Sequence, residues 1–143
     1  MDDDGALLLV RRFVDEVVNR GHVELLKEFV AHHHVGHDPL GDHYGPEGLT
    51  IWVTELRTAF PDLLVTIGDL IREGDRIASR FTLTGTHRGP FMGLPPTERE
   101  VMATGFAIDR LRDNQFVERW STIDFIGLMR QLGAMPVLRE QSA

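Results

Sequence analysis

The groups in this sequence that could move a proton near neutral pH are seven histidines and a set of carboxylates, and there is no cysteine. Without a thiol, a disulfide framework, a thiolate metal site and a cysteine nucleophile all drop out. Most of the imidazoles are crowded into one stretch, where His32, His33, His34, His37, Asp38, Asp42 and His43 follow one another closely. A zinc ion there would need three or four ligands converging at about 2.0 to 2.2 Å, with outer partners holding them. Neither a HExxH helix nor a cysteine pattern accompanies the cluster, so no metal site is expected. Within it, His37 and Asp38 sit in what reads as a loop, a common seat of function, and His37 is the stronger candidate.

Four more groups stand out. His87 lies at a predicted strand end, where it could donate to a ligand carbonyl or exchange a proton; it could equally fix the following loop by bonding to backbone. Asp109 could serve as an acid/base with its pKa set by Arg119, or the two could form a cross-strand ion pair. Asp124 has the position of a catalytic carboxylate after Trp120, and it also precedes a short apolar run as a helix N-cap does, the role expected of it first. Trp52, Phe60, Phe81, Phe91, Phe106 and Trp120 could line an aromatic pocket or fill a core.

The elements that must position these residues form one α+β unit. A chain of 143 residues has the length of one domain, taken as 1-143 with a core of about 5-133 and a C-terminal tail at 134-143. Apolar residues at Leu9, Val10, Phe13, Val14, Val17 and Val18 have helical spacing, with Asp2 to Asp4 supplying negative charge ahead of them. A shorter helix is predicted over Val23–Val30, and Ala31 to Gly45 shows no period. Pro46 opens a third helix striped by Leu49, Trp52, Val53, Leu56 and Phe60, and Phe60-Pro61-Asp62 stops it. Two hairpins follow: 63–72 with 76–87 about Glu73-Gly74-Asp75, then 101–111 with 116–123 about Asp113-Asn114. A short helix begins at Phe125. This order predicts a curved, largely antiparallel sheet wrapped over three N-terminal helices into a cone with an internal pocket.

The second hairpin has a predictable register. A three-residue turn with Asn114 left-handed sets Asp109 opposite Arg119, Arg110 opposite Glu118 and Ala107 opposite Ser121, so that both charge pairs attract. A two-residue turn would set Asp109 against Glu118, which repels.

The formal charge of -7 and pI near 5.4 argue against a nucleic-acid partner. No apolar run is long enough for a bilayer. Ala6 to Val10 follows aspartates and meets Arg11-Arg12, unlike a secretory leader. A cytoplasmic protein with no membrane partner is the expectation.

The run Gly85-Thr86-His87-Arg88-Gly89-Pro90-Phe91-Met92-Gly93-Leu94-Pro95-Pro96-Thr97 resembles the GxHxGxxxGxPPT signature of the SnoaL-like polyketide cyclases and ester cyclases. Ala59-Phe60-Pro61-Asp62, Asp113-Asn114 through Trp120, and Arg130-Gln131-Leu132-Gly133 extend the resemblance over nearly the whole chain. It implies the nuclear-transport-factor-two-like cone, a homodimer or higher homo-oligomer, and a cofactor-free intramolecular aldol closure of a polyketide ester. An Asp and a His on the last two long strands carry out that chemistry in the family; the matching positions are Ser121 and Ala107, which can do neither job.

Two readings follow from these residues. One is a cyclase-like enzyme, or a related lyase, isomerase or hydrolase, acting on a small hydrophobic carbonyl compound. Its polar groups would be His37, His87, Asp109 and Asp124, and its ligand-binding residues Trp52, Phe60, Ala107, Arg119, Trp120 and Ser121. The other is a non-catalytic ligand-binding or accessory protein on the same fold. An epoxide-hydrolase-like site on Asp109 and Arg119 would require both inside the pocket.

Overall fold

The computed structural model describes residues 3–134, so the acidic N-terminal side chains and nearly all of the tail at 134–143 lie outside the described residues. Helix α1 (Asp3–Arg12) continues into a π-helical segment, Phe13–Asn19. Val10, Phe13, Val17 and Val18 are buried, as their spacing predicts. The segment ends as Gly21 turns to a φ of 76°. Arg57 Nη1 donates to the carbonyls of Val18 and Asn19 at 3.0 and 2.7 Å, satisfying acceptors that a helix end leaves free. The second helix is shorter than predicted: a 3-10 turn, Val23–Leu25, leads into α2 (Leu26–Phe29), and Val30 already belongs to a strand.

The stretch read as an aperiodic loop is a hairpin, β1 (Val30–Asp38) with β2 (Gly41–Tyr44). The sequence hides this alternation because the buried positions after Val30 are Ala31, His34 and Gly36 rather than large apolar residues, so no hydrophobic period of two appears. Helix α3 (Gly45–Ala59) has Pro46 in its first turn and buries Leu49, Val53 and Leu56. Strands β3 (Leu64–Glu73) and β4 (Arg76–Thr86) form the first predicted hairpin, β5 (Glu100–Arg112) and β6 (Gln115–Ile123) the second, and α4 (Phe125–Gln131) follows. The Asn19 side chain ties the first helix to β3: its Oδ1 accepts from Val65 N–H at 2.7 Å and its Nδ2 donates to the Val65 carbonyl at 3.0 Å.

The six strands form one curved sheet in the order β2-β1-β6-β5-β4-β3, antiparallel except where β1 lies parallel to β6. Helices cover its inner face. There, alternate residues of β5 from Val101 to Leu111 are buried against a core containing Phe13, Phe29, Phe60 and Leu83. Full burial of a large apolar side chain such as Phe29, Phe60 or Leu83 contributes about 1.5 to 3 kcal/mol.

The register of β5 and β6 is the one that charge complementarity selects, with Asp109 opposite Arg119, Arg110 opposite Glu118 and Ala107 opposite Ser121. It is reached by a different route. Asp113 and Asn114 both have positive φ, 54° and 65°, and make a two-residue turn that pairs Arg112 with Gln115 and Leu111 with Phe116. An extra residue, Val117, then shifts the register by one. That bulge lets consecutive Phe116 and Val117 both be buried.

Candidate functional site

Inward side chains on neighbouring strands build a polar row inside the cone. Arg119 of β6 faces Asp109 of β5, and its Nη1 donates to both carboxylate oxygens, at 3.0 and 2.8 Å. Asp109 is 1% exposed. Burial pushes its carboxyl above the ordinary range, and the Arg119 guanidinium pulls the other way. The guanidinium also lies over the Phe13 ring, 5.5 Å from its centroid, a favourable place for a cation sharing an apolar interior.

On the other side of Arg119, Gly36 of β1 is its strand neighbour, and His43 of β2 is the neighbour of Gly36. A Cβ at Gly36 would overlap the His43 ring, so the absence of a side chain there makes room for the imidazole. His34, one inward position earlier on β1, is 1% exposed, and its ring lies 6.3 Å from that of His43, at 29°. Asp38 Oδ2 stands 3.8 Å from His43 Nε2. Both nitrogens of His34, and Nδ1 of His43, are buried without a hydrogen-bond partner among the described residues. Each such atom costs about 1 to 3 kcal/mol. Burial drives the His34 pKa down to about 4, helped by His43 and Arg119; burial also lowers that of His43, against the pull of Asp38. Both imidazoles are therefore neutral at pH 7 and hold free lone pairs.

An apolar cleft of about 430 Å³ opens at the mouth of the cone, bordered by Leu40, Trp52, Leu83, Phe91, Met92 and Phe125. That volume falls in the range of small-ligand sites. Behind Trp52, Leu56, Leu83 and Ile123, which line both spaces, a void of about 30 Å³ reaches Ser79 and Arg119. It has room for a water molecule or two. The space predicted inside the cone is thus an open cleft backed by a narrow void, whose walls include Phe13, Ile67 and Phe81.

A family model described as SnoaL-like polyketide cyclase matches residues 8–132. The chain belongs to the SnoaL-like polyketide cyclase family. It is 31% identical over 132 residues to the aklanonic acid methyl ester cyclase DauD of Streptomyces sp. strain C5, covering 87% of this chain and 80% of DauD. Among solved structures, TsrD from Streptomyces laurentii superposes with a TM-score of 0.86 at 28% identity, over 94% of this chain and 99% of TsrD. IdmH from Streptomyces antibioticus does so with a TM-score of 0.79 at 32% identity, over 90% and 98%.

Against this SnoaL-like frame, the residues singled out from sequence separate. Asp109, Arg119, Ala107 and Ser121 share the inner face, and Trp52 borders the cleft. His37 and Trp120 do not border it. They stand on the outer face of the sheet, the His37 ring stacked on Trp120 at 5.6 Å, with Nδ1 2.9 Å from Asp42 Oδ1 and Nε2 2.8 Å from Glu118 Oε2. Those two carboxylates raise the His37 pKa. The expectation of a loop position for His37 is corrected accordingly, since strand alternation turns it outward while His34 turns inward.

His87 is wholly buried beneath the signature loop, where Nδ1 accepts from Thr97 N–H at 3.2 Å and lies 3.0 Å from Thr97 Oγ1. That bond places the ring proton on Nε2. Phe60 is also fully buried and packs on His87 and Phe91, one layer behind the cleft. Asp124 caps α4, accepting from Gly127 N–H at 2.8 Å. The crowded imidazoles disperse: His32 and His33 are exposed, His34 and His43 face inward, and His37 faces outward. Among the described residues no group of three or more His, Asp or Glu is arranged to hold a metal. His34 and His43 entered the sequence reading only as members of a metal cluster. The signal that would have found them is the alternation His34, Gly36, Asp38, visible once the stretch is treated as a strand.

Proposed function

We propose that this chain is a cyclase-like enzyme that works without a cofactor on a small hydrophobic carbonyl compound of the polyketide-ester kind. The observation that carries this reading is the apolar cleft backed by a buried Asp109–Arg119 pair. Only Nη1 of Arg119 is hydrogen-bonded among the described residues, so the rest of the guanidinium is free to hold a carbonyl oxygen as it gains charge. Such a donor, fixed in advance in a water-poor site, is worth most in the transition state. Asp109 orients Arg119 and is spent in doing so. The substrate rings would rest on Trp52, Phe91 and Phe125 in the cleft. Ala107 and Ser121, at the strand positions that the family resemblance assigns to an acid/base pair, would shape the inner wall.

Aklanonic acid methyl ester, the substrate named for DauD, is the compound to try first. Cyclisation is an isomerisation, so product should appear at unchanged mass with a new retention time. Arg119→Met should lower kcat at least 100-fold. An undiminished rate in Arg119→Met sinks the assignment.

A second reading, a ligand-binding protein without turnover, is favoured by Ala107 and Ser121 themselves. Recovery of bound ester unchanged after long incubation would support it. In either reading a homodimer would form through the outer sheet face, where Ile71, Met102, Phe106 and Ile108 are exposed. Phe106→Glu should shift the mass seen by light scattering to that of a monomer; a wild type already monomeric removes the idea.

A further inference from the structure

With Ala107 and Ser121 unable to accept a proton, the cyclase reading lacks a base, and the inner row offers few. Both oxygens of Asp109 already accept from Arg119. His43 also keeps a free Nδ1, but it lies on the edge strand β2, with Asp38 beside its Nε2. The His87 Nδ1 is taken by Thr97 beneath the signature loop, and His37 lies on the other face of the sheet. His34 is different. It is buried on the inner face, with both ring nitrogens unpartnered among the described residues. It stands one inward position from Gly36, the strand neighbour of Arg119. A buried imidazole without partners is unfavourable unless something arrives to use it.

We propose that His34 is the proton-transfer residue of this site, acting on the carbon next to the carbonyl that Arg119 holds. The assignment rests on the cyclase reading above. In the first step an imidazole nitrogen of His34 takes the proton from that carbon. The C–H electron pair becomes the enolate double bond, and the carbonyl π pair moves to the oxygen facing Arg119. The enolate carbon then attacks a second carbonyl of the same molecule, forming the C–C bond and an alkoxide. The alkoxide takes the proton back from the His34 imidazolium. Atoms and electrons balance with no oxidant, reductant or cofactor. Trp52 and Leu56, which separate the cleft from the void at Arg119, must yield for the reacting end of the substrate to reach this row.

The test isolates the first step from ring closure. 1-Tetralone, a flat aromatic ketone, is incubated with the protein in D2O, and loss of its α-CH2 signal is followed by proton NMR beside turnover of aklanonic acid methyl ester. Wild type should accelerate exchange; His34→Gln should lower that rate at least 100-fold with KM little changed, and free imidazole should restore part of it. Exchange by His34→Gln within threefold of wild type overturns the proposal. Should the variant fail to fold, histidine-labelled wild type still decides: 1-tetralone must move the His34 ring signals, and unmoved signals overturn the proposal. Exchange that depends on His34 without cyclisation of the ester upholds His34 and removes the cyclase reading. A wild type that does neither removes both.

Discussion

The two faces of the sheet carry nearly the same residue types to opposite ends. Outside, His37 lies between Asp42 and Glu118, and Glu118 also accepts from Arg110 at 3.2 Å. Inside, His34 and His43 stand near the Arg119–Asp109 pair with ring nitrogens left bare. The outer network is partnered and open to solvent, and its carboxylates push the His37 pKa up. The inner one is buried and short of partners, and burial pushes the His34 pKa down to about 4. One network has satisfied its hydrogen bonds and has little left to offer a ligand. The other retains unused lone pairs and N–H groups in a place where water does not compete for them.

The largest effect separating the faces should come from removing one partner of each ion pair. Asp109→Ala leaves the Arg119 guanidinium buried and unpaired, which should destabilise the fold by about 3 to 5 kcal/mol. Glu118→Ala, on the outer face, should move a denaturant midpoint little, because solvent replaces the lost contacts. Equal losses in urea titrations of the two variants would erase the distinction between the faces.

Next in size is the acid response of His34. Its folded pKa, about 4, lies below the ordinary histidine value of 6.5, because the ring is buried. The unfolded chain therefore binds a proton first as pH falls. Stability contributed by the neutral imidazole is fully present above about pH 6.5 and is lost as pH falls toward 4, on the order of 3 kcal/mol in all. His34→Phe should flatten that part of the stability–pH curve; a slope unchanged between the two proteins would show that His34 is not held neutral.

The smallest effect has the opposite sign. His37 has a raised folded pKa, caused first by its hydrogen bond to Glu118 and then by that to Asp42. Its contribution is fully present below the unfolded value near 6.5 and fades as pH rises through the folded one. Proton NMR of the ring should place the His37 midpoint above that of an exposed histidine, and Glu118→Gln should bring it down.

How much of this was legible beforehand depends on where each contact is made. The β5–β6 register follows from side chains directly opposite one another, so charge complementarity alone selected it, even though the turn and the Val117 bulge that deliver it were not foreseen. Position 124 has the residue type and place of an N-cap, and Asp124 is one. The signature around His87 pointed to the family. His34 was missed for the reason that β1 was missed: its inward residues do not read as apolar, and its partner in the sheet is β6, far along the chain.

The amino-acid order by itself therefore determined the α+β class, the long helices, both long hairpins and the membership of the SnoaL-like family, because these rest on local periodicity, turn chemistry and a contiguous signature. Only the tertiary structure decided which imidazole faces the interior. Parallel pairing of β1 with β6 sets that alternation, and one residue of strand separates His37, in the outer network, from the inner row of Gly36, His43 and Arg119. The core of the cone was likewise filled by Phe13 packing edge-on against Phe29 and Phe116 from distant parts of the chain, and no local pattern encodes that contact.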